Sequence, residues 1–221
     1  MQVSEALEKR KSTRAFLDKP VDDSVIREIL LAAGHAPSGV NTQPWQVAVV
    51  SGEAKLGLSA KLEAAFRAGE KSAMDYQYYP LEWQEPYKQR RKECGLLMYS
   101  TLNITREDKE RQKDQWAANY RAFDAPVALY FFMDGIMEAG SYLDYGMFLQ
   151  SVMLAAVERG LAVCPQAALA EYPALVKAEL GYAEDTVLLC GMSLGYEDTA
   201  ALVNSYRTPR LEVDEFTRFF K

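Results

Sequence analysis

The chain of 221 residues suits one domain, and 49% of its residues are hydrophobic, which is enough for a buried core. Its formal net charge of -6 disfavours general nucleic-acid binding. One histidine and three cysteines are too few for a histidine-rich metal site or a disulfide framework. The odd number of cysteines favours a reducing, cytoplasmic setting.

The amino terminus has no basic-then-apolar signal pattern, and no run of about 18 apolar residues occurs, so neither secretion nor a membrane span is expected. A Ser-His-Asp or Cys-His centre would have to use His35, which lies at a predicted helix end and is more typical of a structural histidine. If the protein is an enzyme, a bound organic cofactor therefore does the demanding chemistry.

Hydrophobic periodicity and turn residues divide the chain into helices and strands. The predicted helices cover residues 2–10 (capped by Ser4), 22–34, 53–69, 88–119 (with a new start at Thr105), 142–159 and 172–180. The predicted strands cover residues 46–51, 125–133, 161–164 (with an exit loop at 165–168) and 187–196. All four strands are apolar, and the first is expected to be buried. Strands separated by helices predict an α/β or α+β sheet with helices around it.

The segment at residues 36–45 is a polar turn between a predicted helix and a predicted strand. Pro37 disfavours a helical residue before it, and Gly39 is expected to supply a left-handed bend. Three neutral side chains in the turn need backbone, water or a ligand as partners: Ser38, Asn41 and Gln43. The turn either satisfies its own backbone or binds the edge of a flat heterocycle.

Two clusters of cations and hydroxyls lie at opposite ends of the chain, at residues 9–14 and 207–210. Arginine side chains match phosphate oxygens in a bidentate geometry. No GxGxxG or GxxxxGK[ST] loop is present, so a phosphate would have to be held by side chains. The clusters are either solvated surface runs or, if folding joins them, a phosphate site suited to a mononucleotide such as FMN, formed by Arg10, Ser12, Arg14, Arg207 and Arg210.

A mostly helical excursion at about residues 66–118 separates two predicted strands. Within it, residues 76–87 (the aromatic arm) hold four tyrosine and tryptophan side chains before Tyr87, and Pro80 and Pro86 break any helix there. The aromatic arm is either a lid or arm over a partner, or a set of rings that plugs an edge of the core.

Six short motifs occur in order along nearly the whole chain, at residues 10–16, 36–45, 125–127, 164–166, 191–196 and 206–210. Together they resemble the FMN-dependent nitroreductase family. The aromatic arm and the basic helix after it look like the branch of that family that acts on nitrobenzoate-like substrates.

The resemblance implies an α+β nitroreductase-like fold over residues 1–221, with a central mixed β-sheet surrounded by helices. It also implies an intertwined homodimer with two FMN sites at the interface. The ribityl phosphate and flavin edge would be held by Arg10, Ser12, Arg14 and Arg207, with Arg210 as an addition. The residues that reach the cofactor from the partner subunit would be Pro37, Ser38, Asn41 and Gln43. The residues near the flavin ring would be Pro165, Gln166, Ala167 and Asn119.

The implied activity is a ping-pong reaction in which NAD(P)H reduces the flavin and a nitroaromatic, nitrobenzoate-like or quinone acceptor reoxidises it. Flavin N5 carries the chemistry, so no side chain is assigned as catalytic and no metal is expected. Other possibilities remain open: the same flavin fold with enone reduction or reductive dehalogenation, a non-catalytic flavin-binding protein, and an acidic helical interaction module without a ligand.

Overall fold

The computed structural model describes all 221 residues and contains eight α-helices and four β-strands. The helices are α1 Val3–Lys9, α2 Asp23–Ala33, α3 Gly52–Ala68, α4 Tyr87–Thr101, α5 Lys109–Ala117, α6 Ala139–Glu158, α7 Pro173–Leu180 and α8 Val213–Phe216. The strands are β1 Gln46–Ser51, β2 Val127–Met133, β3 Ala162–Gln166 and β4 Val187–Gly195. No helix combines the length and the apolar character that a bilayer crossing requires.

The four strands form one sheet in the order β1-β2-β4-β3, and all three neighbouring pairs are antiparallel. The strands are thus antiparallel throughout, whereas a mixed sheet was expected, and the parallel contact is an isolated bridge between Ser12 and Val163 outside the four strands. This bridge adds the segment after α1 to the β3 edge of the sheet. The α+β class predicted from the sequence is confirmed.

Both faces of the sheet are covered, which explains the continuous apolar run of β2. Its odd-numbered residues, from Val127 to Met133, join the core that packs against α2 and α6. The even-numbered residues between them join a second core with α3 and α7. Successive side chains of a strand point to opposite faces, so one strand supplies both cores.

The expectation that β1 is buried is wrong. Of its residues only Val50 is buried, and Val49 is 41% exposed. β1 has a neighbour on one side only, at the end of the strand order. An apolar run predicts a strand, but it does not reveal how many strands flank it.

Several boundaries differ from the sequence predictions. The residue that caps α1 is Gln2, whose N–H donates to Glu5, rather than Ser4. Thr105 does not begin a helix, because its N–H and hydroxyl both bond the Asp108 carboxylate in a turn that precedes α5. Helix α6 begins at Ala139, and the predicted exit loop of β3 begins later, because residues 165 and 166 still pair with β4.

Tyr76 at the start of the aromatic arm and Asp75 just before it are attached to β4 and α7, while the rest of the arm is mostly exposed. Asp75 forms an ion pair with Lys177 at 2.9 Å and accepts a hydrogen bond from the Leu188 N–H at 2.8 Å. Tyr76 donates to the carbonyl of Leu189, which lies at an irregularity in the β2–β4 register. The arm therefore plugs a core edge at its base only.

Candidate functional site

The first basic cluster lies along the β3 edge of the sheet. After α1, the chain runs extended beside β3, and the Thr13 N–H donates to the Val163 carbonyl at 3.0 Å. Thr13 is buried, and Lys11 forms an ion pair with Glu197 at 2.6 Å. Alternate residues of an extended segment face opposite sides, so Arg10, Ser12 and Arg14 share the other side.

The second basic cluster meets the first at the end of α1. The Arg207 guanidinium donates to the carbonyl oxygens of Glu8 at 2.5 Å, Lys9 at 2.6 Å and Arg10 at 3.4 Å. These carbonyls belong to the last turn and C-cap of α1, where a cation is favourable. The structure thus joins two parts of the chain that are almost 200 residues apart in sequence.

The four arginines of this region form an uncompensated positive cluster, which we call the arginine cluster: Arg10, Arg14, Arg207 and Arg210. Lys9 and Lys11 nearby are paired with carboxylates, whereas the four arginines form no ion pair. Burial, together with the charges of Arg210 and Arg207, lowers the pKa of Arg10. Mutual repulsion in an otherwise acidic chain is relieved by an anion, so the cluster suits a phosphate.

The surroundings of the arginine cluster leave room for an anion, and the one carboxylate in the lining of the cleft, Glu197, is paired with Lys11. A cleft of about 320 Å³ is lined in part by Arg10, Arg207 and the α6 end at Val157 and Gly160. Burial raises the pKa of the Cys164 thiol beside the cluster to about 11, so that thiol is neutral at pH 7.

Asn204 is a structural residue of the site that sequence reasoning missed. It is 4% exposed, and its Oδ1 accepts from the Arg14 N–H at 2.8 Å. Its Nδ2 donates to the carbonyls of Ala15 and Asp198, both at 2.9 Å. Its position in the sequence, close to the second basic cluster, could have indicated this role, but an asparagine there is also typical of an ordinary turn.

The residues predicted to lie near a flavin ring come together at the end of β3. Gln166 follows Pro165 in the strand, and Ala167 begins a short 3₁₀ turn. The Gln166 side chain is buried and donates to the Asn119 carbonyl at 2.9 Å. Gln166 therefore turns its amide towards the protein interior, and its backbone and that of Ala167 remain as possible ligand contacts.

The turn at residues 36–45 has a left-handed backbone, but not at Gly39 as expected. Positive φ angles occur at Val40 (45°), Asn41 (60°) and Gln43 (48°). The turn is closed by the Gln43 N–H, which donates to Ser38 Oγ at 3.0 Å, and is attached to α6 through Asp144, which accepts from the Gly39 N–H at 3.1 Å. A positive φ at a β-branched valine is strained, and such strain is most common at functional or contact positions.

Within one chain, this turn and the arginine cluster do not meet. The turn contacts α6 at Asp144, whereas the cleft beside the cluster is lined by Val157 of the same helix. The two residues are 13 positions apart on α6, so they are separated by about 20 Å along its axis. The predicted loop residues Pro37, Ser38, Asn41 and Gln43 are thus placed at the opposite end of α6 from the cluster.

Metal ligands are not grouped in this structure. No three His, Cys, Asp or Glu side chains lie together in a way that could hold a metal ion. The single histidine, His35, is exposed just beyond the end of α2.

Comparison with known proteins decides the family. The model of the family described as "Nitroreductase family" matches residues 7–196. The chain belongs to the nitroreductase family. A family relative, the 4-nitrobenzoate reductase of Pseudomonas putida, is 40% identical over 210 residues, covering 95% of this chain and 92% of the relative. Nitroreductase NfnB of Mycolicibacterium smegmatis is 39% identical, covering 99% and 93% of the two chains.

Solved nitroreductase structures match the fold over its full length. The FMN- and NADPH-dependent nitroreductase NfnB from Sphigopyxis sp. strain HMH is 41% identical and superposes with a TM-score of 0.97, with 100% of both chains covered. The FMN-dependent NfnB from Mycobacterium smegmatis, solved in complex with NADPH, is 37% identical with a TM-score of 0.93 and the same coverage. The nitroreductase fold expected from the sequence is confirmed.

Proposed function

We propose that this nitroreductase-family protein is an FMN-dependent oxidoreductase that uses NAD(P)H to reduce nitroaromatic, nitrobenzoate-like acceptors, with quinones as further acceptors. The observation that carries the proposal is the arginine cluster, which has no carboxylate partner in a chain of net charge -6. The similarity to a 4-nitrobenzoate reductase and to FMN- and NADPH-dependent nitroreductases supports the same cofactor and substrate class.

The residues near the arginine cluster fit FMN. Arg10, Ser12, Arg14 and Arg207, with Arg210, would bind the phosphate, and Asn119, Pro165, Gln166 and Ala167 would border the ring. When bound, FMN supplies the electron transfer between NAD(P)H and the acceptor. The protein positions the ring, supplies positive charge and N–H donors, and excludes water from the cleft. No side chain is needed as an acid or base, in keeping with a single exposed histidine.

We propose that the site is completed by a second copy of the chain in a homodimer. The turn that holds Ser38 and Asn41 contacts α6 at Asp144, about 20 Å along the helix axis from Val157 at the cleft, so the partner's turn would have to reach the arginine cluster. Val40 in the turn is 99% exposed, and the carboxy-terminal Phe220 is 91% exposed. Both side chains are accessible to a partner subunit.

We further propose that residues 1–221 form a single domain with a mostly helical excursion. We also propose that the protein is located in the cytoplasm. Helices α4 and α5 lie within residues 66–118, between β1 and β2, which supports the excursion. All three cysteines are free thiols, which supports a reducing compartment.

The aromatic arm supports a small aromatic acid as substrate. Tyr78 and Tyr79 expose about half of their surface, and Arg91 lies over the Trp83 ring at 5.3 Å. Rings and guanidinium groups side by side suit an acceptor that is both flat and anionic.

The visible absorption spectrum of the purified protein tests the proposal. We expect flavin bands, or their uptake on FMN addition, bleaching on addition of NADH or NADPH without air, and recovery on addition of 4-nitrobenzoate. Recovery with an enone or a halophenol but with no nitroaromatic would favour the other acceptor classes. Bound FMN that no acceptor reoxidises would favour a flavin-binding protein, and a chain that stays colourless with FMN would contradict the proposal.

A further inference from the structure

A series of hydrogen bonds, buried at its inner end, connects the middle of the sheet to the candidate site. Ser193 on β4 has no exposed surface, and its Oγ donates to Gln166 Oε1 at 2.5 Å. Gln166 Nε2 donates to the Asn119 carbonyl at 2.9 Å and to Asn119 Oδ1 at 3.3 Å. Asn119 Nδ2 in turn donates to the Trp116 carbonyl at 2.9 Å.

Two backbone carbonyls determine the direction of every bond in this series. A carbonyl oxygen only accepts, so Gln166 must turn its NH₂ group towards Asn119 and its Oε1 towards Ser193. For the same reason Asn119 turns its NH₂ group towards the Trp116 carbonyl, which leaves Oδ1 facing Gln166. Of the two N–H bonds of the Asn119 amide, one has no partner in the chain.

We propose that Ser193 is a positioning residue that acts through Gln166 on Asn119, so that Asn119 presents an N–H donor to the bound ligand. The backbone oxygen and Oδ1 of Asn119 both accept from Gln166, so the group of Asn119 that is free to bind a ligand is an N–H donor. The matching ligand group is an acceptor, such as a carbonyl oxygen or ring nitrogen of the heterocycle. Ser193 cannot touch the ligand itself, because it lies wholly in the interior. The inference rests on the FMN site proposed above.

A double-mutant cycle on FMN affinity tests the coupling. We expect Ser193→Ala to weaken FMN binding about tenfold, the usual worth of one hydrogen bond. In the Asn119→Ala background the same substitution should have little further effect, since both changes act on one contact. Ser59→Ala, at a buried serine of α3 outside the series, is the matched control and should leave the affinity unchanged. A Ser193→Ala variant that binds like wild type, or an effect that persists in full in the Asn119→Ala background, overturns the inference.

Two separate measurements test the donor role of Asn119 and the orientation of the Gln166 amide in the absence of FMN. Asn119→Asp keeps the shape but replaces the donor by an oxygen, so it should bind FMN more weakly than Asn119→Ala, and wild-type affinity would contradict the donor role. In FMN-free protein, hydrogen exchange of the Gln166 side-chain amide, followed by NMR, should be slow in wild type and fast in Ser193→Ala. Equal exchange rates in wild type and Ser193→Ala would overturn the positioning role of Ser193 without affecting the proposed FMN site. Failure of the FMN site itself would appear in the absorption experiment.

Discussion

Replacing Arg207 with alanine is expected to weaken FMN binding by about 1.5–3 kcal/mol, the usual range for a charge-assisted hydrogen bond. Arg207 stands where the two ends of the chain meet, within hydrogen-bond distance of the α1 carbonyls and beside Arg10. It is exposed, so the freed carbonyls gain water and the fold loses little. Fluorescence titration with FMN measures the affinity, and thermal unfolding of the FMN-free protein measures the cost to the fold.

Two further substitutions show whether the geometry or only the charge of Arg207 matters. Arg207→Lys keeps the charge but not the planar pair of donors, so it should recover only part of the affinity. Arg67→Ala removes an equally charged side chain that is already paired with Glu63 and Asp114, and should leave FMN binding unchanged. Equal affinities of wild type and Arg207→Ala would contradict the assignment of the phosphate to this cluster.

Replacing Asp75 with alanine is expected to lower the free energy of unfolding by about 3 kcal/mol, because it leaves a buried charge without its partner. Lys177 is 7% exposed at its side chain and would keep only the Glu184 carbonyl as a partner. The Leu188 N–H on β4 would also lose its acceptor. Urea denaturation measures the change, and faster proteolysis within the aromatic arm should accompany it.

A matched control for Asp75 is an exposed ion pair. Glu179→Ala removes the partner of Lys61, whose side chain is half exposed, and should cost less than about 1 kcal/mol. Asp75→Asn keeps an acceptor for the Leu188 N–H and should fall between the two. If Asp75→Ala costs no more than Glu179→Ala, the ion pair is not the attachment point of the aromatic arm.

The sequence predicted elements whose signal is local. The apolar run of β2 was predicted correctly because both of its faces are covered, and α2 because its apolar residues repeat at helical spacing. The run at the centre of β1 is also apolar, yet β1 lies at the edge of the sheet. Composition reports that a segment is a strand, but the number of its neighbours depends on the topology of the whole sheet.

The candidate site was predictable in its residue types but not in its bonds. Arginines at both ends indicated a phosphate, and folding joins them at the end of α1. The backbone of the turn at 36–45 could not be predicted, because it depends on Asp144, more than a hundred residues away. The inward direction of the Gln166 amide depends likewise on Ser193 and Asn119, and no local pattern encodes those contacts.

Complementation between two defective variants tests the central claim, a site shared by two subunits. One chain carries Arg207→Ala and the other carries Asn41→Ala with Gln43→Ala, each with its own affinity tag, so that mixed dimers can be isolated. If the arginine cluster of one subunit and the turn of its partner form each site, one of the two sites in a mixed dimer is fully wild type. We therefore predict one tightly bound FMN per mixed dimer and restored nitrobenzoate reduction. Mixed dimers that bind FMN no better than either variant alone would contradict the account.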